Sequence, residues 1–112
     1  MKEKYTTEEL VFMIKGAVRY VELAEALPEP SEKRRAYLDY ARRIVADLNS
    51  ALNLEDFGST AFTLLRMFIF INRRLADAMG EDPSGLIDGL RILRHVRDAW
   101  VRAAEIEGQR AS

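Results

Sequence analysis

The sequence predicts an all-α fold, an antiparallel up-down four-helix bundle, and three observations carry that prediction. Apolar residues recur at three- and four-residue spacing in four segments, the period of a helix with one buried face. The segments are parted by breaks holding the prolines and turn-forming residues. The breaks are short, so consecutive helices fold back as antiparallel neighbours. No strand-like alternation, internal repeat or low-complexity tract interrupts the pattern, and the 112 residues read as one domain. The predicted helices run roughly over residues 7–27, 31–52, 59–79 and 83–107.

The first helix begins at Thr6, where Thr6 and Glu9 form a capping-box pattern. Its stripe is Leu10, Met13, Ala17, Val21 and Ala24, and Pro28-Glu29-Pro30 stops it. Ser31 suits the N-cap of the second helix, whose stripe is Tyr37, Ala41, Ile44, Leu48 and Ala51. A loop follows over Asn53–Gly58, with Gly58 supplying turn freedom. The third helix starts at Ser59, aligns Ala61, Leu64, Phe68, Ile71 and Leu75, and ends at Met79-Gly80 with Gly80 as the expected left-handed cap. Asp82-Pro83 opens the fourth, because proline in the first turn costs no hydrogen bond. Its stripe is Leu86, Leu90, Leu93, Trp100 and Ala104, and the polar tail after Glu107 is expected to fray.

Composition narrows the function classes. There is no cysteine, so disulfides and thiolate metal sites are excluded. A formal net charge of -1 supplies no overall basic field for nucleic acid or anionic membrane. No apolar run approaches the ~18 residues of a membrane span, and the charged start Met1–Tyr5 does not read as a secretory signal. A soluble cytoplasmic protein is the expectation, with no membrane insertion and no nucleic-acid partner.

The most informative stretch is Met67-Phe68-Ile69-Phe70-Ile71, five apolar residues in a row on a helix. At 100° per residue they pass right round the axis. One bundle core cannot bury all of them, and outward-facing apolar groups on a soluble protein point to a binding surface. With Phe68 inward, Phe62 and Ile69 point to one side, superposed at seven-residue spacing, and Phe70 points nearly backwards. The second helix has its own row off the stripe, Leu38, Val45 and Leu52. That row either lines an apolar groove with Phe62 and Ile69 or serves a second neighbouring helix. Phe12 also faces away from its helix's stripe. The candidate partner-binding residues are therefore Leu38, Val45, Leu52, Phe62, Ile69 and Phe70, with Phe12 at the margin; Phe68 and Trp100 are assigned to the core.

Chemistry is scarce. His95 is the one histidine and falls among Arg91, Asp98 and Arg102 in projection, a solvated position. A di-iron bundle needs inward Glu-x-x-His pairs, and no phosphate loop or nucleophile elbow is present. The arginines Arg91, Arg94 and Arg97 are diluted by Asp88 and Asp98, with Arg97 near the inward line. Arg42-Arg43 and Arg73-Arg74 read as solvated faces. No catalytic set, metal or cofactor is expected. A histidine phosphotransfer bundle shares the architecture, but His95-Val96-Arg97-Asp98-Ala99 lacks the small basic stretch that usually follows such a histidine. A structural homodimer is a further alternative, its apolar rows covering each other.

Four stretches resemble the flagellin export chaperones, the FliS family. Leu64-Leu65-Arg66-Met67-Phe68-Ile69-Phe70-Ile71-Asn72-Arg73-Arg74-Leu75 is similar to that family's third-helix signature. Ala51–Gly58 is similar to its Ser-Leu-Asp-Phe-x-x-Gly-Gly loop, and Leu93–Trp100 to its closing Leu-Arg-x-Leu-Arg-x-Ala-Trp. Glu9-Leu10-Val11-Phe12-Met13 and Gly16-Ala17-Val18-Arg19-Tyr20 are near its first-helix pattern. The resemblance covers roughly Glu8 to Ala103. It implies a cytoplasmic bacterial chaperone whose helical bundle binds the disordered C-terminal segment of flagellin. That segment folds into helices on the chaperone, which blocks polymerisation and keeps the subunit fit for export without nucleotide or metal. Other flagellar export components are possible partners, and a monomer or weak dimer is expected. Departures mark a divergent member: few residues precede the first helix, Ile14-Lys15-Gly16-Ala17 replaces Leu-Tyr-Asp-Gly-Ala, Phe68 and Phe70 replace two tyrosines, and Phe57 stands for a glycine. The client is then an unusual flagellin or another export substrate.

Overall fold

A computed structural model describes residues 5–27, 30–51 and 59–111. Among these residues it has four helices: α1 Thr7–Glu25, α2 Glu32–Ala51, α3 Ser59–Met79 and α4 Ser84–Ala111. They pack in a closed ring, α1 on α2, α2 on α3, α3 on α4 and α4 on α1, and among the described residues no backbone approach joins either diagonal pair. Side-chain register shows the direction of the first pair. Tyr20 meets Tyr40 with ring centroids 5.3 Å apart, while four residues earlier Gly16 lies beside Ile44, four residues later. One helix ascends as the other descends. The molecule is an elongated four-helix bundle of 47 × 27 × 19 Å.

The caps fall where their chemistry places them. Thr6 Oγ1 accepts the Glu9 N–H at 3.1 Å, and Ser31 Oγ accepts the Arg34 N–H at 3.1 Å. The Pro28-Glu29 stop and the Asn53–Gly58 loop lie outside the described residues. At the end of α3, Gly80 is not left-handed, contrary to expectation. The N–H groups of Gly80 and Asp82 both donate to the Asp77 carbonyl at 3.1 Å, which places Gly80 at the cap itself rather than one position beyond it. α4 opens on Ser84, whose N–H and hydroxyl both donate to the Asp82 carboxylate. It continues to Ala111 instead of fraying at Glu107.

The core is the apolar centre of that ring: Ile14, Ala17, Val18, Val21 and Ala24 from α1, Leu38, Ala41, Val45 and Leu48 from α2, Phe68, Ile71 and Leu75 from α3, and Leu86, Leu90, Leu93 and Val96 from α4. Phe68 is fully buried, and half-buried Trp100 meets it edge-on with centroids 5.9 Å apart. Arg94 on α4 donates to Glu22 on α1 at 2.9 Å, closing the ring with an ion pair.

The α3–α4 seam is drawn close at two glycines. A Cβ on Gly85 would overlap the carbonyl of Arg74, and one on Gly89 would stand 2.7 Å from a Leu75 methyl. Two glycines four residues apart on α4 therefore let the backbones approach. Beside them Arg74 is held by Asp77 at 2.7 Å, Asp88 at 3.1 Å, Asp82 at 3.2 Å and the Ser84 hydroxyl at 2.9 Å. Arg74 is thus a corner clamp and not the solvated arginine expected from its position. Arg42 departs the same way: it is half-buried, with Nη1 3.8 Å from the Met79 sulfur across α2–α3.

Candidate protein-binding surface

The apolar run on α3 does go round the helix. Phe68 and Ile71 are fully buried, while Phe62, Ile69 and Phe70 are 57%, 54% and 41% exposed. Phe62 and Ile69 share one line about 10 Å long, the rise of seven residues. They lie on the side of the outer face toward α2, since Met79, turned nearly inward, meets Arg42 there. Phe70 lies toward α4, on the side of Arg74 and Asp88.

Among the described residues, the row of α2 expected to line a groove with α3 does not face outward. Leu38 and Val45 are both fully buried and are removed from the candidate surface. The reason is geometric: α2 has two neighbours, so its apolar face is wider than one stripe. Leu38 and Val45 form the edge facing α3, while Tyr37 and Ile44 serve the α1 side, where Tyr37 stacks at 6.2 Å from Tyr20 and Ile44 meets Gly16. Leu52 lies outside the described residues. Phe12 is 78% exposed, but α1 and α3 are diagonal in the ring, so Phe12 does not join Phe62, Ile69 and Phe70.

Between the two apolar flanks of α3 run Arg66 and Arg73, seven residues apart and both exposed. Neither makes an ion pair or hydrogen bond among the described residues, whereas Arg74 beside them gathers three carboxylates. The same periodicity that locates Phe62 and Ile69 locates these arginines, a signal the apolar count alone overlooks. Two exposed isoleucines on α4, Ile87 and Ile106, are also missed by stripe counting. Ile87 borders a shallow recess of about 420 Å³ between α1 and α4, lined by Glu25, Leu90, Arg91, Arg94, His95 and Asp98.

His95 is exposed on this recess. Among the described residues no group of His, Asp and Glu is arranged to hold a metal ion, and no helix is long and apolar enough to cross a membrane. The arrangement of α3 offers contact area and charge.

No curated protein and no solved structure matches the chain significantly. A family model, described as Flagellar protein FliS, matches residues 3–107 and so takes in all four helices and the exposed face of α3. Membership supports a role in flagellar export as a chaperone. With nearly its whole length matched, the chain belongs to the FliS family.

Proposed function

We propose that this protein is a cytoplasmic chaperone that binds the disordered C-terminal segment of flagellin, holding it unpolymerised and competent for secretion. The observation that carries the reading is the outward display of Phe62, Ile69 and Phe70 on one helix of a FliS-family chain. The client segment folds as an amphipathic helix and lays its apolar side along α3, a helix-on-helix mode of recognition. Binding needs no cofactor, and the protein does no catalysis.

Magnitudes set how far α3 alone goes. With about 200 Å² for each aromatic side chain, the exposed parts of the three residues offer roughly 300 Å². At ~25 cal/mol per Å² this is on the order of 7 kcal/mol gross. Ordering a disordered client costs about 2–5 kcal/mol of that. A typical interface covers about 800 Å² per partner, so α3 is the centre of the contact and the client extends beyond it.

Calorimetric titration of the full chain with the C-terminal segment of the host's flagellin tests the reading. Saturable 1:1 binding with a negative heat-capacity change, lost when the segment is truncated, is expected. No binding at micromolar concentration refutes it. Light scattering of the protein alone addresses the homodimer: a stable dimer that the segment cannot dissociate would replace the client with a second copy.

A further inference from the structure

The exposed face of α3 also specifies the charge of what binds it, an inference that rests on the chaperone reading and deepens it. We infer that the client helix carries carboxylates about two turns apart beside its apolar row, and that Arg66 and Arg73 receive them.

Position comes first. By helical projection Arg66 sits about 60° from Ile69 and about 40° from Phe70, and Arg73 falls on nearly the same line as Arg66. A helix covering Phe62, Ile69 and Phe70 therefore covers both guanidinium groups. Covering a cation without a partner is costly, because its hydration is lost with nothing in exchange. A guanidinium instead presents a planar fork that matches a carboxylate, and apolar walls on both sides strengthen that pair by excluding water.

The second observation is how the chain distributes its own acids. Arg73 and Arg74 are adjacent, yet Asp77, Asp82 and Asp88 all pair with Arg74. No carboxylate among the described residues reaches Arg73 or Arg66, while Arg43, Arg91, Arg94 and Arg97 each have one. Arg66 and Arg73, both exposed and without a carboxylate, lie between the exposed apolar side chains. With a formal net charge of -1 the chain has no overall basic field, so attraction of an acidic guest has to come from local groups such as these.

A second copy of this chain does not fit. A two-fold axis through α3 would set Arg66 of one molecule against Arg73 of the other, like charge on like charge. An acidic amphipathic helix satisfies both the apolar and the basic rows.

Two synthetic helical peptides test this, with identical leucine rows and either Glu or Lys at two flanking positions seven residues apart. Anisotropy titrations against the full chain should give at least tenfold tighter binding of the Glu peptide at ~50 mM salt, narrowing to under threefold at ~0.5 M as screening takes hold. R66Q/R73Q should erase the preference with thermal stability unchanged, and R66E/R73E should invert it. Equal binding of the two peptides, or a preference that survives R66Q/R73Q, overturns the inference. So does recruitment of the chain to phosphatidylglycerol vesicles in place of the Glu peptide.

The flagellin segment separates the two readings. If it binds but is indifferent to R66E/R73E and to salt, the charge rule fails and the chaperone reading stands. If the Glu peptide is preferred while the flagellin segment does not bind, the charge rule stands and flagellin is not the client.

Discussion

Replacing Phe62 by alanine separates binding from folding more cleanly than any other single change on α3, because 57% of the residue is exposed. With about 200 Å² for a phenylalanine, roughly 110 Å² is available to a client. At ~25 cal/mol per Å² its burial contributes at most about 3 kcal/mol. Alanine keeps part of that contact, which leaves a loss of about 2 kcal/mol, or roughly 30-fold in Kd. The portion already covered in the free protein is smaller, and alanine's better helix propensity returns about 0.5 kcal/mol. Stability should fall by only about 1 kcal/mol, some 4 °C in Tm. Phe68→Ala is the control: the same deletion at a fully buried position should cost about 3–5 kcal/mol. Calorimetry with the flagellin C-terminal segment reads the first effect and thermal unfolding by circular dichroism the second. If Phe62→Ala binds within twofold of the parent, or melts like Phe68→Ala, the assignment of Phe62 to the docking face is wrong. Phe70, at 41% exposure, should show both losses together.

Further changes probe the frame that holds α3. Gly85→Ala drives a methyl into the Arg74 carbonyl, so a loss of about 1–3 kcal/mol is expected in urea denaturation, where a midpoint within ~0.2 M of the parent would refute the close approach. Arg74→Gln removes the corner clamp and should lower Tm more at pH 7 than at pH 3. The Ser84 hydroxyl first, and Arg74 second, hold the Asp82 carboxyl below its ordinary value of 3.8. Its folded pKa is depressed, so its stabilisation is complete above pH 3.8 and lost as pH falls through the lowered native value. Asp82→Asn should accordingly flatten the acid limb of stability, and an unchanged acid limb would contradict the clamp. Among the described residues Asn72 Oδ1 is buried without a hydrogen-bond partner, so Asn72→Leu should raise stability by about 1 kcal/mol, read as a higher urea midpoint at unchanged slope.

Particular residues show what was legible from the sequence. Thr6 and Ser31 cap the helices they were expected to cap, because capping is local chemistry between residues three apart. Ile69 and Phe70 were legible because a crowded apolar run cannot all point inward, whichever way the helix is turned, and Phe62 because it stands seven residues before Ile69 on the same line. Leu38 and Val45 were not. Periodicity defines an apolar arc, but its split between one neighbour and two depends on packing that lies far away in sequence. Arg74 was hidden for a related reason: its partners Asp82 and Asp88 come from the turn after α3 and from α4, not from its own helix face. The end of α3 was misplaced at Gly80 because glycine permits a left-handed cap without requiring one.

Gly85 and Gly89 leave a final consequence. They seat α4 so closely behind α3 that any side chain there would push the helix outward and re-aim everything displayed on its far side. The rear of α3 is thus intolerant of change, while its front meets only solvent or a guest. Substitutions can accumulate on that outer row as fast as the guest's own sequence drifts, with the scaffold untouched. On the proposed reading, recognition and architecture occupy opposite sides of a single helix.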